Sequence, residues 1–242
     1  MSLLLKMGNL YDKVLILLEE IINLVSGWVC QVCGSPSESP LCEACERNLS
    51  RFSPPFCPQC GLPQTSPSLC PSCKEDPLPF RHRSFGPYEG TLKEMIHKFK
   101  FEGQRSLKKP LSLLLYETFK ELKEPVDLII PIPLTRKRLV ERGFNQSLLL
   151  AKELGIRTGL KVKGNILIKV KETPPQTSLG SKERRSNLKG AFFLKEPSLV
   201  FGKRVLLVDD VFTTGSTLRE AFYVLKQAGA KTVMAITLAR SL

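Results

Sequence analysis

Residues Val205–Leu218 read VLLVDDVFTTGSTL: a short apolar run, two consecutive aspartates, and a hydroxyl-rich turn around one glycine. Val205–Val208 is branched and short enough for a strand buried on both faces. Asp209 and Asp210 then fall at its carboxyl end, the edge where open α/β sheets bind ligands. Thr213-Thr214-Gly215-Ser216-Thr217 follows with small side chains, hydroxyls and closely spaced N–H groups at a helix start. Orphan donors and the helix dipole there favour a phosphate. Carboxylates beside such a cradle suit a ligand with a sugar diol and a 5′-phosphate, the diol donating to the aspartates. No lysine follows the glycine, so the Walker pattern is absent, as is GxGxxG. Two adjacent acids at the end of a buried strand are hard to justify by folding alone.

Upstream, Asp127–Pro133 (DLIIPIP) is the next buried strand, and its carboxyl end runs into a basic stretch, Leu134–Gln146. That stretch is expected as a loop on the same sheet edge, before a helix running to about Leu154. Arg136, Arg138 and Arg142 offer planar forks for phosphate oxygens, which lysine meets only as a point charge. Before it, Ser84–Tyr88 reads as an entry strand, and helices are expected over Thr91–Phe101 and roughly Ser106–Lys123. Lys100 and Arg105, next to the break between those helices, are the better ligand candidates among its cations. After it, a strand over Leu160–Val170, a basic loop over Thr173–Asn187 containing Lys182, Arg184 and Arg185, and a strand over Gly190–Leu194 lead back to the opening stretch. Helix Ser216–Ala228 and strand Thr232–Ala239 complete a βα series consistent with a mostly parallel sheet.

The 242 residues allow one α/β domain plus a small appendage. The net charge of +13 is unevenly spread. Residues 1–80 hold 5 Lys/Arg against 8 Asp/Glu, a net of −3, leaving 31 against 15, a net of +16, for residues 81–242. The basic part should attract phosphate-rich partners.

All eight cysteines lie between Cys30 and Cys73 in four CxxC pairs, with CQVCG at 30–34 repeating as CPQCG at 57–61 and LCEAC at 41–45 as LCPSC at 69–73. Metal fits this pattern better than disulfides. Each unit supplies four thiolates to one tetrahedral Zn²⁺: Cys30, Cys33, Cys42 and Cys45 for one ion, Cys57, Cys60, Cys70 and Cys73 for the other, with a crossed arrangement open. The expected role is structural, since about 45 residues with many prolines and few core-sized side chains would not fold without metal. Ahead of the cysteines, residues 3–28 form an amphipathic pattern that can pack on the body or on a membrane or partner. The longest apolar run there is Val14–Leu18, short of the roughly 18 residues of a span. A cytoplasmic protein is expected, with peripheral contact at the cytoplasmic face of the membrane open to the helix.

The opening stretch resembles the 5-phosphoribosyl-1-pyrophosphate (PRPP) signature of type I phosphoribosyltransferases. Over nearly the whole chain, the ribbon cysteines, the helix ending in KFKFEG (98–103), PIPLxxxRxxxRGFNQ (131–146) and the Gln176–Phe192 segment resemble the ComF-type competence proteins. The resemblance implies a type I phosphoribosyltransferase-like α/β domain over 84–242, with helices on both faces of a mostly parallel sheet, after an N-terminal helix at 1–29 and a double zinc ribbon at 30–76. It implies PRPP binding by Val208, Asp209, Asp210, Val211, Thr213, Thr214, Gly215, Ser216 and Thr217, with Mg²⁺ on the pyrophosphate. Arg136, Arg138 and Arg142 would face that pyrophosphate, and Lys182, Arg184 or Arg185 would close over it. The function it implies is natural transformation: handling single-stranded DNA at the cytoplasmic side of the uptake machinery, beside other DNA-uptake or recombination proteins and at the inner membrane. The expected ligand is PRPP or a phosphorylated nucleotide; the alternative function is an active phosphoribosyltransferase using PRPP and Mg²⁺ with an unidentified acceptor. Glutamine amidotransfer is not expected, because the related purine enzyme uses an N-terminal cysteine and this chain begins Met1-Ser2-Leu3.

Overall fold

The computed structural model describes residues 27–171 and 190–242. Nearly all of the expected N-terminal helix, and the loop residues Lys182, Arg184 and Arg185, lie outside the described residues. The cysteine segment contributes a short antiparallel pair, β1 (Trp28–Val29) and β2 (Pro36–Ser37), and two one-turn helices, α1 (Glu43–Arg47) and α2 (Pro71–Glu75). Then come β3 (Arg81–Pro87), α3 (Gly90–Phe101), α4 (Lys108–Lys120), β4 (Leu128–Pro131), α5 (Arg136–Arg142), α6 (Gln146–Thr158), β5 (Lys161–Val162) and β6 (Leu167–Lys169). The chain ends with β7 (Phe192–Leu194), β8 (Arg204–Phe212), α7 (Ser216–Gln227) and β9 (Thr232–Arg240).

Five parallel strands make the central sheet in the order β3-β9-β8-β4-β5, and β6 pairs antiparallel with β7 apart from it. β8 is central. Val205, Leu206, Leu207 and Val208 are all fully buried, because helices cover both faces and every side chain of such a strand meets a core. Val205 and Leu207 join Leu218, Ala221 and Leu225 of α7 on one side. Leu206 and Val208 join the apolar faces of α3, α4 and α6 on the other. Each such buried side chain contributes roughly 1.5–3 kcal/mol.

The topology also creates a crevice. β4 continues through α5 and α6 to β5 on one side, whereas β8 continues through α7 to β9 on the other. Neighbouring strands whose connections diverge leave an opening beyond their carboxyl ends, the usual ligand position of an open α/β sheet. Asp209 and Asp210 lie there.

Two expectations are corrected. The basic stretch after β4 is largely a helix, α5, because Thr135 caps it by accepting from the Arg138 N–H (3.4 Å) and Gly143 ends it at φ 76°. The single strand expected over Leu160–Val170 is two, β5 in the central sheet and β6 outside it, separated at Gly164-Asn165. Among the described residues no helix is long and apolar enough to cross a membrane.

Candidate functional site

The two aspartates are held differently. Half-buried Asp209 accepts through Oδ1 from the Ser147 hydroxyl of α6 (2.9 Å) and from the Asp210 N–H (3.0 Å). Asp210 is 4% exposed; its Oδ1 accepts from the Val211 N–H (2.7 Å), and its Oδ2 lies 2.6 Å from Lys100 Nζ of α3. Burial, and then the charge of Asp210, push Asp209 up to about 7, against the pull of Lys100 and Ser147. The pair therefore shares its negative charge unequally, with Lys100 neutralising the deeper carboxylate.

Beyond Phe212 the chain turns into α7 at Gly215, in the left-handed region at φ 72°. A Cβ there would sit 2.7 Å from Phe212 Cζ and 3.4 Å from Leu78 Cδ2, so both backbone and packing require glycine. The Thr214 and Ser216 hydroxyls are 2.8 Å apart. With the N–H groups of the first turn of a twelve-residue helix, of which that of Ser216 meets Thr214 Oγ1 at 3.5 Å, they form a cradle suited to an anion.

Most of the Arg142–Gln146 run (RGFNQ) builds the wall opposite rather than a ligand contact. Gly143 terminates α5, buried Phe144 packs at 5.6 Å on Phe99, and Asn145 caps α6 by accepting from the Leu148 N–H (3.3 Å) while donating to Ile132 O (3.1 Å). Arg142 donates to Gln146 Oε1 (2.6 Å) and lies over the Phe101 ring, 5.0 Å from its centroid. Arg138 and Arg142, with Lys100, Phe101, Gly103 and Glu141, line a cavity of about 360 Å³. Arg136 is exposed at the first turn of α5 and is not among the lining residues.

The cysteines gather into two groups, Cys30/Cys33/Cys42/Cys45 and Cys57/Cys60/Cys70/Cys73, with the sulfurs of each within 4.8 Å of one another. The crossed arrangement is thereby set aside. Sγ–Sγ distances of 3.7 Å (Cys33–Cys42) and 3.5 Å (Cys60–Cys70) approach the ~3.8 Å edge of a tetrahedron with Zn–S bonds of about 2.3 Å. Backbone N–H groups point at sulfur, Cys42 to Cys30 (3.4 Å) and Cys70 to Cys57 (3.5 Å), as ligating thiolates require. Ser35 pulls the Cys33 thiol down to about 6. Burial opposes ionisation of Cys57, but the N–H groups of Cys60, Cys70 and Gln59 outweigh it and hold the thiol at about 7. Eight sulfur donors so arranged fit two structural Zn²⁺ ions.

The second knuckle is built into the sheet. Its cysteines are all buried, and its carbonyls are gripped from the strands: Cys60 O by Arg240 (2.9 Å) and by His82 Nδ1 (3.1 Å), Cys57 O and Pro58 O by Arg83 (3.4 Å each). His82 is fully buried, reaches Thr237 Oγ1 through Nε2 (3.1 Å), and stacks on Phe212 at 4.2 Å. Burial, opposed by the Cys60 carbonyl, lowers its pKa to about 3, so the ring is neutral.

Residues 145–242 match the family model of the phosphoribosyl transferase domain, and residues 21–74 that of the double zinc ribbon domain. Competence protein F of Haemophilus influenzae is 36% identical over 85% of this chain and 92% of its own length. The chain belongs to the competence protein F (ComF) family. DNA utilization protein YhgH of Salmonella typhimurium is 35% identical over 89% of this chain and 96% of its own, and competence protein ComFC of Streptococcus pneumoniae 29% over 84% and 89%.

In this ComF-family chain the structure brings Asp209, Asp210, the Thr213–Thr217 turn, Arg138, Arg142 and Lys100 to one sheet edge. Two participants escaped sequence reading. Lys169 of β6 senses both Arg138 and Asp209, and burial followed by Arg138 lowers its pKa. His82 lies just ahead of the expected entry strand Ser84–Tyr88, and only the Cys60 carbonyl and Thr237 beside it reveal its role.

Proposed function

We propose that this ComF-family protein binds PRPP, or a related phosphorylated nucleotide, in the β4/β8 crevice and acts in natural transformation. It does so by handling incoming single-stranded DNA at the cytoplasmic side of the uptake machinery, beside other uptake or recombination proteins and in peripheral contact with the inner membrane. The observation that carries the ligand is the Asp209–Asp210 pair at the end of β8, adjoining the Gly215 cradle and facing Lys100 and Arg142. A ribose diol donating to the carboxylates takes the place of Lys100 at Asp210 and frees that ammonium for phosphate oxygens. The Thr213–Thr217 turn holds the 5′-phosphate, while Arg138 and Arg142, with Arg136 at the rim, receive the pyrophosphate. Mg²⁺ accompanying the pyrophosphate supplies further charge neutralisation. Lys182, Arg184 and Arg185 are the cations assigned to closing over it. The names of the relatives, competence protein F and DNA utilization protein, support the DNA role, as does the +16 carried by residues 81–242.

A transferase reading is favoured by one observation: Asp209, held near 7, is poised at working pH close to where positive charge would develop on the sugar. Pyrophosphate release from PRPP and Mg²⁺, with a panel of bases and with single-stranded DNA, separates the two. Saturable PRPP binding without turnover is expected. Turnover abolished in Asp209→Asn/Asp210→Asn would establish the transferase instead.

A further inference from the structure

Phe101, the last residue of α3, is 63% exposed, although Leu92, Met95, Ile96 and Phe99 of the same helix are buried. One exposed phenylalanine is ordinary, but the surroundings of this one are not. The Arg142 guanidinium lies over the ring at 5.0 Å, the His97 ring stands 5.1 Å away, tilted by 45°, and Phe101 itself walls the 360 Å³ cavity with Lys100, Arg138 and Arg142. The volume falls in the range of small-ligand pockets, roughly 300–1,000 Å³. Lys100 belongs both to this wall and to the ion pair with Asp210, so the cavity adjoins the candidate ribose site.

An aromatic face open to solvent among cations is the combination that holds single-stranded nucleic acid: bases stack on the ring and phosphates meet the charges. A lipid or an apolar peptide is a poorer fit, because three cations and Glu141 line the same wall. We propose that Phe101, one face of its ring backed by the Arg142 guanidinium, clamps a nucleobase of single-stranded DNA by stacking on its exposed part, placed so that the adjoining backbone phosphates meet Arg138 and Lys100. This rests on the DNA-handling reading above and gives that reading a contact point outside the zinc ribbon. Stacking is tolerant of base identity, so the clamp serves strands of any sequence.

The test is anisotropy with the full-length, zinc-loaded protein, using an oligothymidylate and an abasic strand of equal length. Phe101→Ala and Phe101→Leu are compared with Phe101→Trp. The first two should weaken oligothymidylate binding by roughly 10-fold, the expected scale for one stacked base, while Trp retains it. The salt slope should stay unchanged because no charge is removed, and abasic-strand binding should be equal in all variants. Oligothymidylate affinity unchanged in Ala and Leu, or abasic binding lost in parallel, overturns the clamp alone. Wild-type protein that binds no oligonucleotide overturns the clamp and the DNA-handling reading together.

Discussion

The two cysteine knuckles carry nearly the same sequence, CQVCG with LCEAC and CPQCG with LCPSC, yet the fold uses them differently. The first keeps Cys33 exposed and Cys42 half-buried, while Cys30, Leu41 and Cys45 join the core cluster of Phe85 and the apolar faces of α3 and α4; just after it, Phe52 N donates to Phe85 O (2.9 Å) and Arg51 pairs with Glu121 at the end of α4 (2.9 Å). The second has every cysteine buried and shares a core cluster with Leu78, Phe80, Phe212 and Leu218. From there the path to the cradle is short: Cys60 to His82, His82 stacked on Phe212, and Phe212 filling the space a side chain at Gly215 would need. Arg219 of α7 adds a second tie, to Asp76 Oδ2 (3.0 Å) and Pro77 O (2.9 Å). A repeated metal motif therefore supports the cradle from behind in one copy and packs into the α3/α4/α6 core on the other face of the sheet in the other.

The largest expected effect breaks that asymmetry outright. Cys57→Ser should remove the second zinc, whose binding is worth on the order of 10 kcal/mol, comparable to the whole stability of an ordinary domain. Cooperative unfolding and PRPP binding should both be lost. Cys33→Ser should cost one of two zinc ions and leave PRPP affinity within about twofold. A zinc count alongside a thermal melt and a PRPP titration checks both, and equal damage from the two variants would erase the distinction.

Gly215→Ala attacks the join between knuckle and cradle. With φ at 72° and Phe212 carbons 2.7 and 2.8 Å from the new methyl, the turn must shift, at a strain of about 1–3 kcal/mol. A loss of PRPP affinity of roughly 10-fold or more is expected, with a midpoint lowered by several degrees in a melting scan.

Asp209→Asn probes the sheet edge by pH. Asp209 ionises near 7 in the folded chain and near 3.9 when unfolded. Between those values the folded state holds a proton the unfolded chain has released, so this contribution to stability falls as pH rises from about 4 to about 7. Asparagine stays neutral and keeps an acceptor for Ser147. The variant should melt a few degrees above the wild type at pH 8 and almost with it at pH 4; a gain at pH 4 alone would reverse the assignment. The smallest effect belongs to Asn145→Ala, which loses the α6 cap at about 1 kcal/mol and should lower the midpoint by only about 3 °C.

What the sequence disclosed depended on how locally each feature is encoded. DLIIPIP and VLLVDD are apolar runs ending in turn residues, and they became β4 and β8 because a strand buried on both faces needs no alternation. The cysteine spacings located both metal groups, while only the three-dimensional arrangement decided which knuckles share an ion. α5 stayed hidden because none of its residues is buried, so no apolar period marks it, and its signals reduce to Thr135 and Gly143 at its ends. The break between β5 and β6 was signalled by Gly164-Asn165, overlooked within an otherwise strand-like run. Pairs such as Lys100 with Asp210, or His82 with Cys60 and Thr237, join residues far apart in the chain, and no local pattern encodes them.

The most direct test of the central claim is calorimetric titration of the full-length, zinc-loaded protein with PRPP and Mg²⁺, comparing wild type with Asp209→Asn/Asp210→Asn. A crevice built to hold ribose 5-phosphate between β4 and β8 predicts saturable binding to the wild type and a loss of at least about 10-fold in the double variant. No binding to the wild type, or equal affinity in both proteins, would contradict it.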